Sequence, residues 1–522
     1  MRMELAKRTP DSLLAWSLAH RRLQGGPMRL PPALRELYDD GHPTIVVQKA
    51  AQVFVSEYLI NTALWVADSL QGRRGNALFV MPTQTQVNDF SQARLDKAIG
   101  ESPYLQQRLS PPPPGRAGPM RQNLKKIGNG YIYLRGSDSQ KQLTSVDADV
   151  VLLDEYDLMA EGVFERAQKR LASSRLGWMR VASTPRLPEA GINDLFLRSD
   201  QRYYFIRCAA CNHEQRLVWP DNIDLKKGIL VCARQRCRKP LNVGSAAGRW
   251  EPAAPGNAAI HGYHLNRLYS PLANIPQMIR ESTETTPAAV QEFQNSVLGE
   301  TYVPPGGQLT IDILDRCRRD DPLPEAVSGV MFMGVDVGTK MHTVVRHRLD
   351  DKRTRLVFAA ELDSFEQVQQ IALRYGVECA VVDAQPEQRA AREFALRGPF
   401  LVVLARYSRS EPGENFAQKD GVNYLQLSRT EALEELFHAF NEGTAELPRD
   451  ARRLGDKVRD GIGEYYREMM ALVRVMEQDA TGNWVTRFID KGKADHYAHA
   501  ELYCQQAMRH RGPRVRVFDF GD

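Results

Sequence analysis

Hydrophobic and polar positions divide this chain into stretches of different texture. From Pro43 onward, short apolar runs alternate with amphipathic ones. Thr44 to Val47 reads as a β-branched strand, Ser56 to Leu70 as a helix, Ala77 to Val80 as a strand closed by Met81-Pro82-Thr83, and Gln86 to Ile99 as an amphipathic helix. Further apolar runs follow at Tyr131 to Leu134, Val150 to Leu153 and Met179 to Ala182. Uninterrupted apolar strands alternating with helices predict a parallel α/β sheet buried on both faces. Ahead of Pro43 lie short helical pieces broken by Gly25-Gly26-Pro27 and Pro31-Pro32, and the proline run Pro111 to Pro114 predicts a surface loop.

Residues 200–325 lose this alternation. They hold a cysteine cluster, Gly- and Pro-rich connections and one helical stretch from Pro287 to Leu298. A third texture begins near Val330. Strands are expected at Val330 to Val335, Thr343 to Arg348 and Leu356 to Glu361, then a helix from Phe365 to Tyr375, then strands at Cys379 to Val382 and Leu401 to Leu404. A meander, a helix and a returning parallel strand suit an RNase H-like fold. The expected organisation is an N-terminal helical segment (1–43), an α/β ATPase-type domain (44–200), a metal-bearing insert and linker (201–325) and an RNase H-like domain with a basic tail (326–522).

Composition adds limits. The 522 residues are 43% hydrophobic and 25% charged, a globular balance with material for more than one core. No run of about 18 apolar residues occurs, and the N-terminus lacks the pattern of a signal peptide, so an intracellular protein without a membrane span is expected. Net charge is +5, from 69 Lys and Arg against 64 Asp and Glu, which decides little. The basic clusters Arg73-Arg74, Lys125-Lys126, Arg234 to Lys239, Arg452-Arg453 and Arg509 to Arg516 read first as solvated faces and second as phosphate contacts. Four of the seven cysteines fall in one short stretch, which favours a metal over disulfides.

Three constellations carry chemistry. In the first, the apolar strand from Val150 ends in Asp154-Glu155. In P-loop ATPases such a pair lets one acid hold Mg²⁺ and the next polarise the attacking water. The standard phosphate-loop pattern is absent, and Gln48 to Ser56 stands in its place. There Lys49 offers a cation, Ser56 a Mg²⁺ ligand, and the helix it opens offers N–H groups for phosphate. A plain strand-to-helix connection is the competing reading of that segment.

In the second, Cys208-x₂-Cys211 and Cys232-x₄-Cys237 form two knuckles that can close a tetrahedral Zn²⁺ site, with His213 as a spare ligand. Four thiolates leave no open position, so the role expected is structural. In the third, Asp336 sits inside an apolar strand, where a charge is expensive unless it binds a cation. Asp383 ends a later strand and Asp495 starts a helix near the C-terminus. Three acids placed this way can hold two Mg²⁺ or Mn²⁺ ions that activate a water against a phosphodiester. Glu387 and His499 stand behind them, and Asp490 competes with Asp495 for the third place. Each acid also has a plain reading, Asp383 as a turn residue and Asp495 as a helix cap.

Together these motifs, in this order, resemble the large terminase family of tailed bacteriophages, particularly its lambda-like branch. The family's phosphate loop often carries its basic residue at the front, and Lys49, Gln52 and Ser56 fall on its positions. Phe54 falls where the family has Gly. Phenylalanine is not expected at positive φ, so either the loop takes another shape or ATP turnover is impaired, and an altered but working loop is the expectation. Met81-Pro82-Thr83, Phe90-Ser91, Arg94-Leu95 and Gly136-Ser137 through Leu143 resemble family segments. Ala167 to Arg170 makes Arg170 a candidate phosphate sensor or arginine finger. Ser183-Thr184-Pro185 resembles the coupling motif that senses the γ-phosphate. Gly262 to Asn266, Leu268 to Pro271, Phe293 to Gly299-Glu300 and Ser428 to Leu433 match without an assigned chemical role. The resemblance implies a DNA-packaging motor that uses ATP with Mg²⁺ and cuts concatemeric DNA with a metal-dependent nuclease. Implied partners are double-stranded DNA, the portal protein of the procapsid, a small terminase subunit and further copies in a ring, in the host cytoplasm. Two rivals remain: a DNA repair or recombination ATPase-nuclease, and a non-catalytic DNA-binding scaffold with a degenerate ATPase.

Overall fold

The β-branched run after Pro43 forms a strand because nothing polar interrupts it. Thr44–Lys49 (β1) is buried from Ile45 through Lys49 and lies in the middle of a large sheet. The computed structural model describes residues 12–69, 75–109, 120–138, 143, 146–245, 248–324, 327–408, 413–455, 457–479 and 481–510. Arg73-Arg74, the Pro111 to Pro114 run and the tail beyond His510 lie outside the described residues. The chain divides into two units, Met1–Tyr302 and Val303–Asp522.

Among the described residues, the first unit is built on an eleven-stranded sheet. Its strands are β1, Asn76–Met81 (β2), Met120–Arg121 (β3), Leu124–Ile127 (β4), Gly130–Gly136 (β5), Val150–Asp154 (β6), Trp178–Ser183 (β7), Arg202–Arg207 (β8), Glu214–Arg216 (β9), Gly248–Pro252 (β10) and His261–Leu265 (β11). The order is β9-β8-β11-β1-β7-β6-β2-β5-β4-β3, with β10 also on β8. All pairings from β8 through β5 are parallel. Lys49, Asp154 and Ser183 therefore emerge together at the carboxyl edge, where open α/β sheets place their ligands.

The segment 201–325, expected as a separate connector, is not one. Up to Leu265 it supplies β8 to β11, and β11 runs parallel to β1 with Leu265 opposite Lys49. The described part of the N-terminal segment also joins this unit. Helices Leu13–His20 (α1) and Pro32–Asp39 (α2) place Trp16, Leu34 and Leu37 in one core with Leu59 and Ala63 of Val55–Ser69 (α3). Two helices read as continuous contain π-helical turns, Ser91–Asp96 and Phe293–Leu298. A one-residue slip of this kind re-aims side chains without disturbing the apolar rhythm much.

Among the described residues, the second unit carries an eight-stranded sheet. Met331–Val337 (β12), Met341–Arg348 (β13) and Thr354–Leu362 (β14) form an antiparallel meander. Helix Phe365–Tyr375 (α4) then leads to Val377–Asp383 (β15), parallel to β12, and Leu401–Tyr407 (β16) adds parallel to β15. Glu414–Lys419 (β17), Val422–Leu427 (β18) and Ala445–Glu446 (β19) complete the order β17-β18-β16-β15-β12-β13-β14-β19. Helices Arg429–Asn441 (α5), Glu464–Met469 (α6) and His496–Arg509 (α7) share a core with one face of the sheet.

Gly334 is what lets α7 lie so close to β12. A Cβ there would stand 2.0 Å from the Ala500 carbonyl oxygen and 2.2 Å from the Cys504 nitrogen, both backbone atoms that cannot swing aside. Asp336, two residues on, points to the same face. Gly334→Ala is expected to destabilise this unit by about 3 kcal/mol or more, the upper range of overpacking penalties. Chemical denaturation of the variant measures it, and a midpoint equal to wild type contradicts the close packing.

Candidate functional site

At the carboxyl edge of the first sheet, Lys49 is buried and its Nζ lies 2.9 Å from Oε1 of Glu155. Burial alone would lower the lysine pKa, but Glu155 and Asp154 outweigh it and hold the ammonium charged. Asp154, the last residue of β6, is pushed up by burial and receives a hydrogen bond from the Ser56 hydroxyl. Its Oδ1 is buried without a hydrogen-bond partner. A lone carboxylate oxygen beside a serine on the first turn of α3 fits a divalent cation, which would satisfy it. Ser56, Asp154, Glu155 and Lys49 thus come together at this edge.

The loop differs from expectation in one respect. Phe54 does adopt a left-handed backbone, with φ +64°, and so do Gln52 at +61° and Glu155 at +58°. The ring explains it: Phe54 packs against the apolar core of this unit, so burial offsets a conformational cost of roughly 1–2 kcal/mol. Three such residues around one site are the kind of strain that functional loops hold.

The front of the loop is pinned from segments whose motifs carried no assigned chemistry. The Ala50 N–H donates to the Leu265 carbonyl at 2.7 Å, and the Ala51 N–H to Ser296 at 2.8 Å. The Gln48 amide donates to the Gly299 carbonyl at 2.9 Å, and its oxygen accepts from Asn193 at 3.0 Å. Gly299, at φ +67°, is left-handed, and a Cβ there would meet the Ala50 nitrogen at 2.8 Å. With the Ala50 and Ala51 N–H groups committed, residues 52–56 are the stretch that can turn N–H groups toward a phosphate.

Ser183 is buried beside Gln48 in register; its hydroxyl accepts from the Asp157 N–H at 3.1 Å and donates to the Thr184 carbonyl at 3.1 Å. Asp157, raised to about 6 by burial, accepts from the Ile192 and Arg186 N–H groups. Asp157 and Gln48 were not singled out in the sequence, and their positions beside the two acids and Lys49 were the available signal. Arg170 is not brought to this cluster. Its carbonyl accepts from the Ala148 N–H, at the other end of β6, about 20 Å away at ~3.3 Å per residue.

The four cysteines converge. Cys208 and Cys237 sulfurs lie 3.9 Å apart, Cys211 and Cys232 3.8 Å, and all four fall within 4.8 Å of one another. Zn–S bonds of about 2.3 Å in a tetrahedron imply S···S separations of about 3.8 Å. Asn212 and Arg238, following the two knuckles, are both left-handed, and Gln215 donates to the Cys232 sulfur at 3.4 Å. His213 is outside the group.

In the second unit Asp336 and Asp383 lie on adjacent parallel strands, Val335 being opposite Val382. Burial first, and then the Asp336 charge, push the Asp383 carboxyl up to about 6, against the hydrogen bond it accepts from the Gln385 N–H. Asp495 precedes α7; burial opposes its charge, but His499 and Arg429 hold its pKa below the usual value. Its Oδ2 lies 3.1 Å from His499 Nε2 and 3.4 Å from Arg429. His496 Nδ1 lies 2.8 Å from Asp336 Oδ2, and the hydrogen bond to that carboxylate lifts the imidazole to about 9. Asp490 is exposed and accepts the Gly492 N–H in a turn, and Glu387 is exposed ahead of its helix. Among the described residues, the group at ligand distance is Asp336 with His342 and His496 rather than the three aspartates.

Residues 27–248 match the family model "Phage terminase large subunit gpA, ATPase domain". No curated protein matches the sequence. The fold is similar to the crystal structure of the HK97 bacteriophage large terminase, at 12% identity and a TM-score of 0.54 over 95% of this chain and 99% of that one. The large terminase ATPase domain of a Thermus phage aligns at 15% identity and a TM-score of 0.33, over 53% and 94%. The large terminase nuclease from thermophilic phage G20c, with bound magnesium, aligns at 16% identity and a TM-score of 0.22, over 38% and 97%. Residues 27–248 are thus similar to the ATPase domain of the phage terminase large subunit gpA, and the chain as a whole shares the fold of a phage large terminase.

Proposed function

We propose that this protein is a DNA-packaging motor with its own nuclease, driving double-stranded DNA into a procapsid and cutting the concatemer. The observation that carries it is the set Lys49, Ser56, Asp154 and Glu155 at one sheet edge, inside the family-matched domain. Mg²⁺ with ATP supplies charge neutralisation on the phosphates when bound. Asp154 and Ser56 hold that ion, Lys49 pairs with phosphate oxygens, and Glu155, freed from Lys49, orients the attacking water. Gln52 shapes the loop, and Ser183 with Thr184 carry the state of the site to β7. Arg170, remote from its own site, fits a role toward a neighbouring copy in a ring.

The second unit, in this reading, is an RNase H-like nuclease. Asp336, Asp383 and Asp495 would hold two Mg²⁺ or Mn²⁺ ions, whose chemistry when bound would be activation of a water and stabilisation of the leaving oxygen. The meander-helix-strand order and the approach of Asp495 to Asp336 through His496 support it. Lys126, Arg234 to Lys239 and Arg452-Arg453 contribute salt-sensitive phosphate contacts, whereas Lys125 is buried against Asp96. The portal protein and a small terminase subunit are the protein partners, in the host cytoplasm. The test is packaging itself: purified protein, ATP and portal-bearing procapsids should render added DNA resistant to nuclease. DNA that stays fully digestible, with the ATPase active, would refute the motor reading.

The four cysteines hold a structural Zn²⁺ in this proposal. Because β8 leads into the first knuckle and pairs with β11, loss of the metal should loosen the ATPase sheet itself. A strong chelator is expected to lower the melting temperature of this unit by roughly 5–10 °C, scaled from a few kcal/mol of lost stability. One zinc per chain by elemental analysis, released on chelation, accompanies it. An unchanged melting curve after complete metal removal contradicts the role.

A further inference from the structure

Three neighbouring strands set a second row of metal-type donors beside Asp336. Register places Asp336 of β12 opposite His342 of β13, and His342 opposite Glu361 of β14. Directly opposed residues share a face, so the three side chains stand in line on the side covered by α7. Two helices add to them. His496 opens α7 and stacks on His342 with ring centroids 4.5 Å apart, and Glu468 of α6 lies 3.9 Å from His342 Nε2.

His342 is the anomaly. Its side chain is 7% exposed, and Nε2 comes 3.2 Å from Glu361 Oε1, yet neither ring nitrogen makes a hydrogen bond. A buried imidazole with both nitrogens unpaired is costly unless something else bonds it. Donor atoms of Asp336, His342 and His496 all lie within 4.8 Å of one another. The other acids face elsewhere: Asp495 turns to His499 and Arg429, and Asp383 accepts from the Gln385 N–H.

We propose that Asp336, His342 and His496, closed by Glu361 and Glu468, form a binding site for a first-row transition-metal dication of the Zn²⁺ or Mn²⁺ class. The proposal rests on the reading of Asp336 as a metal-binding carboxylate and adds a position separate from the one it shares with Asp383 and Asp495. Two imidazoles explain the choice of metal, since nitrogen donors suit transition metals and Mg²⁺ prefers oxygen. An ion about 2.1 Å from each nitrogen draws the two rings to about 3–3.5 Å between donor atoms, a small closure from the distances present. Asp336, with one oxygen toward His496, would contribute to both positions.

The test uses the full chain, dialysed into buffer free of divalent cations and titrated with Mn²⁺ alone. As a hard ion, Mn²⁺ has little preference for the four-thiolate cluster. Paramagnetic resonance counts the bound ion, and spin-echo modulation detects nitrogen in its coordination shell. The expected result is a bound Mn²⁺ with imidazole nitrogen modulation, kept in Asp383→Asn. In His342→Ala and in His496→Ala the affinity should fall at least about tenfold and the modulation should weaken or vanish. If His342→Ala fails to fold, the half-buried His496, on the first turn of α7, decides alone. Bound Mn²⁺ without nitrogen modulation, no Mn²⁺ binding, or unchanged affinity in His496→Ala overturns the site. The nuclease reading fails separately, if Mg²⁺-dependent cutting by the wild type survives Asp383→Asn.

Discussion

Glu155→Gln is expected to reduce ATP turnover by at least about 100-fold, the low end of what a positioned general base contributes. The fold should survive it. Glutamine can still accept a hydrogen bond from Lys49, and Asp154 remains beside that ammonium to balance its charge. Unchanged melting with lost turnover separates chemistry from folding. Lys49→Ala should also lose turnover, through weaker hold on phosphate, while Glu155, about a third exposed, relaxes toward water. Steady-state hydrolysis in the presence of DNA measures both, and a Glu155→Gln rate within a few-fold of wild type would favour the scaffold reading.

Asp336→Asn is the counterpart in the second unit and should remove metal-dependent DNA cutting, by at least about 100-fold. The substitution keeps shape and deletes charge. It leaves His496 without its carboxylate and Asp383 without its charged neighbour, so metal affinity should fall together with rate. ATP hydrolysis should stay as in the wild type. Plasmid cleavage in Mn²⁺ or Mg²⁺ reads the outcome, and cutting that persists unaltered would withdraw Asp336 from the active centre.

Charges at the ends of apolar runs were the legible part of this sequence. Asp154, Asp336 and Asp383 stood out because an acid closing or interrupting a buried strand demands a reason, and parallel strands bring such ends to one edge. The helix from Phe365 to Tyr375 was readable to the residue, and the structure closes it with Ser364 and Gly376 as caps. Partnership between distant strands was not. Arg202–Arg207 looks too polar and His261–Leu265 too short to announce a place beside β1, because sheet membership is fixed by long-range pairing. Phe54 misled for a related reason: its backbone is set by where its ring finds the core, which local preference does not record. The row Asp336, His342, Glu361 exists only in cross-strand register, so spacing along the chain could not reveal it.

The place of β11 limits how this protein can be cut apart. A fragment stopping at residue 200 would strip β11 from β1, turning a central strand into a naked border lined by Ile45, Val46 and Val47. Unsatisfied N–H and C=O groups along such a border invite other chains to dock there, so that piece should clump rather than hydrolyse nucleotide. Trimming past Gly299, where the carbonyl that grips Gln48 is still included, is the shortest version that keeps the lattice whole.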